Sequence, residues 1–309
     1  MDVSFKIAKK VTLITPARYL FDAGKTPSEW NHKILNDDHF KVIWYKADST
    51  EVFPRVDIKG GVAVMFRDIE HCFGKIGSFT AYSELNGIYH KVVNRNDFVP
   101  FSEIIYAQNK FDLEKLYQDF PEIRKSIGSE GRERRLTTSI FSLPIFHNVR
   151  QKSSDFAILG LVNNKREWRF IEDRYVERHP NLHKYKIIVP KSNGTGAIGE
   201  VLSTPLIATP LIGITQSFIS IGTFDDVDQA TACLKYVKTK FTRTMLGILK
   251  VTQDNSKETW RYVPQQNFTI NSDIDWSQPI SRIDNQLFDK YGFSEEERLF
   301  VEEKVKPME

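Results

Sequence analysis

The 309-residue sequence has 43 Lys and Arg against 40 Asp and Glu, a formal charge of +3, with 40% hydrophobic and 27% charged residues. This is the composition of a folded chain long enough for two domains, and it excludes wholesale disorder. The charge balance is too even to signal nucleic acid by itself, so any contact with DNA has to rest on local clusters.

The first strand signal is the apolar run at 11–14 (VTLI), entered almost directly from Met1. So abrupt an entry leads us to expect an upstream portion, or a partner chain that supplies one. A helix is expected from about Pro27, with capping chemistry in Thr26-Pro27-Ser28-Glu29. Strands follow at 40–45 (FKVIWY) and 61–66 (GVAVMF), separated by a polar loop with Pro54 and Gly60-Gly61. Alternating strand and helix signals over 11–66 read as the end of an α/β sheet. From 70 to 150 the periodicity weakens, leaving one helix at 111–125 and the basic segment Arg132-Glu133-Arg134-Arg135. Beyond 155, strands at 157–162, 185–189 and 218–222 alternate with Gly and Pro loops. One long helix is expected over 225–248, from the spacing of Val227, Ala230, Leu234, Val237, Phe241 and Leu246. A last helix at 294–305 has Ser294 as N-cap and three glutamates in its first turn. The expected class is α/β and α+β, with domains at 1–70 and 71–309.

Two cysteines, Cys72 and Cys233, are too few and too far apart for a zinc site or a disulfide framework, and they fit a reducing compartment. No apolar run reaches the roughly 18 residues of a membrane span and no signal-peptide pattern opens the chain, so a cytoplasmic location without membrane contact is expected. The histidines are scattered, and Pro180 breaks the only close pair, His179 and His183, so no metal site is expected.

Gly194-Thr195-Gly196-Ala197-Ile198-Gly199 has the spacing of a phosphate-binding fingerprint, and a strand signal precedes it. A dinucleotide site needs a helix to follow, and Pro205 and Pro210 interrupt the next stretch. Two readings stay open: a loop that approaches a DNA backbone with Lys191, Asn193, Gly194, Thr195 and Gly196, or a plain surface hairpin. Asp57-Ile58-Lys59, after Asp37-Asp38, imitates the acid-plus-lysine arrangement with which nucleases hold a metal ion and a water; the alternative is a solvated loop. Two basic sets can neutralise phosphates: Arg132, Arg134 and Arg135, then Lys235, Lys238, Lys240 and Arg243 on the expected long helix. Lys238 and Lys240 cannot share one helical face, so only part of the second set would meet DNA at once.

Leu13-Ile14-Thr15-Pro16-Ala17-Arg18-Tyr19, then Asp22-Ala23-Gly24-Lys25, then the run from Val52 through Pro54, Asp57 and Lys59 to Val62 form a block that resembles a known family. The resemblance continues through 235–241 (KYVKTKF), 263–268 (VPQQNF) and 273–276 (DIDW) to Lys290-Tyr291-Gly292, and so covers nearly the whole chain. The family is the adenine-specific DNA methyltransferases of type II restriction-modification systems. The Gly-rich S-adenosylmethionine loop and the Asn-Pro-Pro-Tyr segment of that family are missing from this sequence. The resemblance therefore implies the last strands of a methyltransferase sheet followed by a target-recognition domain, with double-stranded DNA as partner. It implies no cofactor in this chain, S-adenosylmethionine for the complete enzyme, and a separate N-terminal catalytic half or subunit as a further partner. It also implies that Phe66 contacts an extruded adenine; the alternative is an ordinary core phenylalanine. The chain alone is then expected to be catalytically inactive, and the competing expectation is a metal-dependent restriction endonuclease using Asp57 and Lys59.

Overall fold

A computed structural model describes residues 1–21, 26–56, 58, 60–127, 133–194, 196–250 and 252–308. The chain divides into two compact units, Met1–His90 and Lys91–Glu309. The division falls beyond residue 70, where the sequence suggests it, and 71–90 group with the first unit.

The first unit opens with a short helix, α1 (Asp2–Ile7), and strand β1 (Lys10–Pro16). Helix α2 (Ser28–Leu35) leads to β2 (Phe40–Lys46), and β3 (Val62–Asp68) closes the set. Pro27 is the N-cap residue of α2 and its side chain makes no cap bond, so the Thr26 to Glu29 stretch does not place a polar side chain at the cap position itself. The strand order is β1-β3-β2 with every pairing antiparallel. Because both flanking strands oppose β3, β1 and β2 run in the same direction, with α2 as their crossover. The strand and helix alternation in the sequence is thus a β-α-β unit split by an antiparallel insertion. Sequence periodicity reports which residues face inward but not which strand lies beside which, so it could not reveal the insertion.

Side-chain alternation divides the sheet into two faces. Ala63 and Met65 of β3 are buried with Leu20, Ile34, Leu35 and Phe40, and each large apolar side chain withdrawn from water contributes about 1.5–3 kcal/mol. A bulge between Val42 and Trp44 re-aims β2. The opposite face carries Ile14, Trp44 and Phe66, with Ile14 and Trp44 exposed.

The second unit begins within helix α3 (Ser83–Val93) and includes β4 (Ile105–Tyr106) and α4 (Leu113–Asp119). The single helix expected at 111–125 stops at Asp119, and Pro121 starts a separate 3-10 turn after Phe120, whose extended φ of −134° ends the α-helical ladder. Strands β5 (Phe156–Val162), β6 (Lys165–Ile171), β7 (Tyr185–Pro190), β8 (Leu206–Ala208), β9 (Ile212–Ile214) and β10 (Phe218–Phe224) follow. They form two sheets, β4-β10-β7-β8, all antiparallel, and β6-β5-β9, in which β5 and β9 are parallel. Leu159, Ile188, Ala208, Ile214 and Phe218 form an apolar cluster drawn from both sheets. The architecture is mixed α+β built from small, mainly antiparallel sheets.

The long helix expected over 225–248 is two helices, α5 (Val227–Lys238) and α6 (Lys240–Gly247), broken at Thr239. Thr239 has φ −59° and ψ 151°, outside the helical region, and its hydroxyl accepts from Thr242 N to cap α6. Apolar spacing continues across the break, so the sequence pattern alone does not reveal it. Helices α7 (Ile280–Lys290) and α8 (Glu295–Lys304) complete the unit; Ser294 and Glu297 form the capping box of α8. Phe101, Tyr236, Trp260 and Phe268 pack edge-on or tilted in an aromatic core, with centroids 5.5–6.4 Å apart along the contacts Phe101–Tyr236, Phe101–Trp260 and Phe101–Phe268.

Candidate nucleic-acid interface

The basic set on α5 and α6 turns inward. Lys235 donates its ammonium to the carbonyls of Trp276, Gln278 and Ser277 at 2.7, 3.0 and 3.2 Å. Lys240 pairs with Glu302 at 2.5 Å, and Lys238 is half-buried. Arg243 is 2% exposed. Its Nε donates to the carbonyls of Lys238 and Thr239, and its Nη1 to that of Gly199 at 3.2 Å. A charge withdrawn from water must find acceptors inside the protein, and burial pushes the guanidinium pKa down to about 10. The expectation that Arg243 contacts DNA is corrected accordingly, because its side chain is withdrawn from water; Lys240 forms an ion pair with the exposed Glu302.

The Gly-rich loop is also closed on itself. Asn193 is buried, donating through Nδ2 to Val201 O at 2.9 Å and accepting from Ser203 N at 2.6 Å. Gly194, Gly196 and Gly199 have φ of +62°, +96° and +71°, a region that side-chain-bearing residues avoid. Gly196 N donates to Glu200 Oε2 at 3.1 Å, and the same oxygen receives Lys250 Nζ at 3.2 Å. An internal carboxylate thus sits where a phosphate fingerprint would place its ligand, and β8 rather than a helix comes next. The loop does not fit a dinucleotide. Asn193 and Gly196 act as scaffold, which corrects their expected contact with a DNA backbone; Gly194 is exposed at the loop's bend, and Thr195 lies outside the described residues.

Lys191 and Arg135 both adjoin the turn at 216–217. Lys191 N donates to Ser217 O at 2.9 Å, and Gln216 N donates to Leu136 O at 3.0 Å, so the Gln216–Ser217 dipeptide has Lys191 on one side and Arg135 at the edge of the other. Arg135 and Lys191 are both exposed and have no side-chain partner among the described residues. Arg135 is also paired through its backbone with Lys110, another exposed cation. Thr138 Oγ1 and Ser217 Oγ lie 3.3 Å apart beside them. Arg134 makes a 2.9 Å ion contact with Glu177 at the surface. Arg132 lies outside the described residues.

Beside Lys191 opens a cleft of about 320 Å³ lined by Leu161, Pro190, Lys191, Ser192, Gln216, Ser217, Gln253 and Asp254. Its far wall is held by Asn255, which donates through N to Lys191 O at 2.7 Å and through Nδ2 to Pro190 O at 3.1 Å. Asn255 Oδ1 in turn accepts from the buried Trp260 indole at 2.9 Å.

In the first unit Phe66 is half-buried on the outer sheet face, 5.8 Å from Phe73, with the Lys41 ammonium 5.6 Å from its ring centroid and 4.2 Å from that of Phe73. It is not a core residue, because it lies on the face opposite Met65. Asp57 and Lys59 lie outside the described residues, as do Asp22 to Lys25 of the resembling block. Among the described residues no group of three or more His, Cys, Asp or Glu is placed to hold a metal ion, and no helix is long and apolar enough to cross a membrane.

No protein-family profile and no curated protein matches the chain. Among solved structures it is similar to the type IIG restriction endonuclease BpuSI, at 9% identity and a TM-score of 0.33, over 96% of this chain. The chain spans 47% of the length of that enzyme, and no residue role transfers at that identity.

Gln216, Gln253, Ser217 and Asp254, which line the cleft beside Lys191, are not singled out by the sequence. They lie just before β10 and in the segment after α6, far apart in the chain, and no motif spacing marks them. The signal available was a cluster of small polar residues before an apolar run, which also describes any surface turn.

Proposed function

We propose that this chain is a DNA-recognition part of a restriction-modification adenine methyltransferase, with the methyl donor and the transfer chemistry residing in a companion catalytic part. The sequence blocks at 13–62 and 235–292 support the family reading. The observation that supports DNA contact is that Lys191, bonded through its backbone to Ser217, and Arg135, next to the Leu136 that accepts from Gln216, are both exposed and without a side-chain partner among the described residues. Cations so placed displace counterions from phosphates, and neighbouring Thr138 and Ser217 hydroxyls supply the neutral donors common at DNA backbones. Phe66, flanked by Phe73 and Lys41, is a candidate base-stacking residue of the first unit under the same reading.

The test is fluorescence anisotropy with a mixed-sequence duplex across a salt series. Affinity is expected to fall with salt, and Arg135→Ala combined with Lys191→Ala should reduce the slope of log K against log salt by about 2, roughly 0.9 per lost phosphate contact. Absence of duplex binding at low salt would overturn the proposal.

A further inference from the structure

The cleft beside Lys191 has a lining that its own fold does not use. Lys191, Ser192, Gln216, Gln253 and Asp254 are exposed, and none of their side chains has a partner among the described residues. Leu161 and Pro190 give the cleft an apolar surface. Its volume of about 320 Å³ lies at the small end of the range for small-molecule sites. The walls are held by hydrogen bonds: Asn255 ties the 253–255 segment to Pro190, Lys191 and the buried Trp260, and the 216–217 segment is tied to Leu136 and Lys191.

We infer that this cleft binds one unpaired nucleotide, its base between the Gln216 and Gln253 carboxamides and its phosphate on Lys191. Each carboxamide offers an acceptor and two donors, the pattern that pairs bidentately with a base edge. Asp254, when ionised, only accepts, so it favours bases with an exocyclic amine, adenine, cytosine and guanine, over thymine. Leu161 and Pro190 provide the apolar contact that a ring face requires, and the lysine ammonium serves as a point charge for phosphate. Two sources supply this chemistry, a base unstacked from a DNA strand and a free mononucleotide. The choice of a strand as the source rests on the DNA-binding reading above.

Titration calorimetry on the full chain separates the alternatives. The probes are dAMP, dGMP, dCMP and TMP, a fully paired duplex, and the same duplex with one bulged adenine. The proteins are the wild type, the Gln216→Ala/Gln253→Ala double variant and Lys191→Ala; all three substitutions are at exposed side chains. If the source is a strand, the bulged duplex binds about tenfold tighter or more than the paired one, since the unstacking cost is already met. The double variant loses that preference and keeps its affinity for the paired duplex. If the source is a free nucleotide, dAMP binds more tightly than TMP, the double variant abolishes the binding, and Lys191→Ala weakens all four nucleotides alike. Paired-duplex binding with no bulge preference and no glutamine-dependent nucleotide binding overturns the cleft assignment and leaves DNA recognition standing. Glutamine-dependent nucleotide binding without any duplex binding supports the cleft and removes DNA recognition.

Discussion

Lys186 of β7 is 1% exposed, and its ammonium donates to the carbonyls of Asn181 at 2.6 Å and Lys184 at 3.0 Å. Burial pushes its pKa from 10.5 down to about 7. The folded chain therefore holds this proton less tightly than the unfolded chain. Its contribution to stability is fully present above the unfolded value of 10.5 and is lost as pH falls through about 7. Lys186→Met is expected to flatten the rise in stability between pH 7 and 9, measured as urea midpoints; an unchanged pH slope would show that the lysine stays protonated in the fold. Arg243 gives a second test at this scale. Because its Nε and Nη1 are bonded to internal carbonyls, Arg243→Met should lower stability by about 2–4 kcal/mol in urea unfolding, as buried carbonyls lose their donors. The salt slope of DNA binding should stay at the wild-type value in the same variant, and a fall in that slope would restore Arg243 to the interface.

Among the elements, α6 depends on a residue from α7. The buried Asp284 carboxylate accepts from Phe241 N at 2.9 Å and Lys240 N at 3.1 Å, satisfying donors that the first turn of any helix leaves free. Burial raises its pKa to about 6, against the lowering effect of those amides and of Arg243. Asp284→Ala is expected to cost about 1–2 kcal/mol, the usual loss for an N-terminal cap, and guanidinium unfolding followed by circular dichroism measures it. A loss within error of zero would mean that Thr239 caps α6 by itself. The Gly-rich loop makes a different demand. A Cβ on Gly199 would lie 2.6 Å from the Val305 backbone, and the residue already has φ +71°. Gly199→Ala should therefore destabilise the chain by about 1–3 kcal/mol, and a thermal midpoint equal to that of the wild type would count against the close approach. The loop's glycines thus answer to tertiary packing around Glu200 and Val305, whatever their resemblance to a phosphate fingerprint.

At the scale of the whole molecule, the net charge of +3 is too small to hold DNA by its overall field. Binding must come from a few local cations, which makes the Arg135 and Lys191 pair decisive and the salt series the measurement that separates it from a diffuse attraction. The sequence by itself determined the strands at 11–14, 40–45, 61–66, 157–162 and 218–222, because burial in a sheet imposes composition and alternation on consecutive residues. It also determined the α8 cap, because Ser294 and Glu297 act over three residues. Tertiary structure decided the insertion of β3 between β1 and β2, the break at Thr239, the burial of Arg243 and the cleft. Each of these depends on groups distant in the chain. Asp284 caps a helix more than forty residues earlier, Glu302 holds Lys240, Gly199 receives Arg243, and Gln216 meets Leu136. A lysine or arginine has the same local signature whether its charge faces water or a carbonyl, so only the fold could separate Arg135 and Lys191 from Arg243.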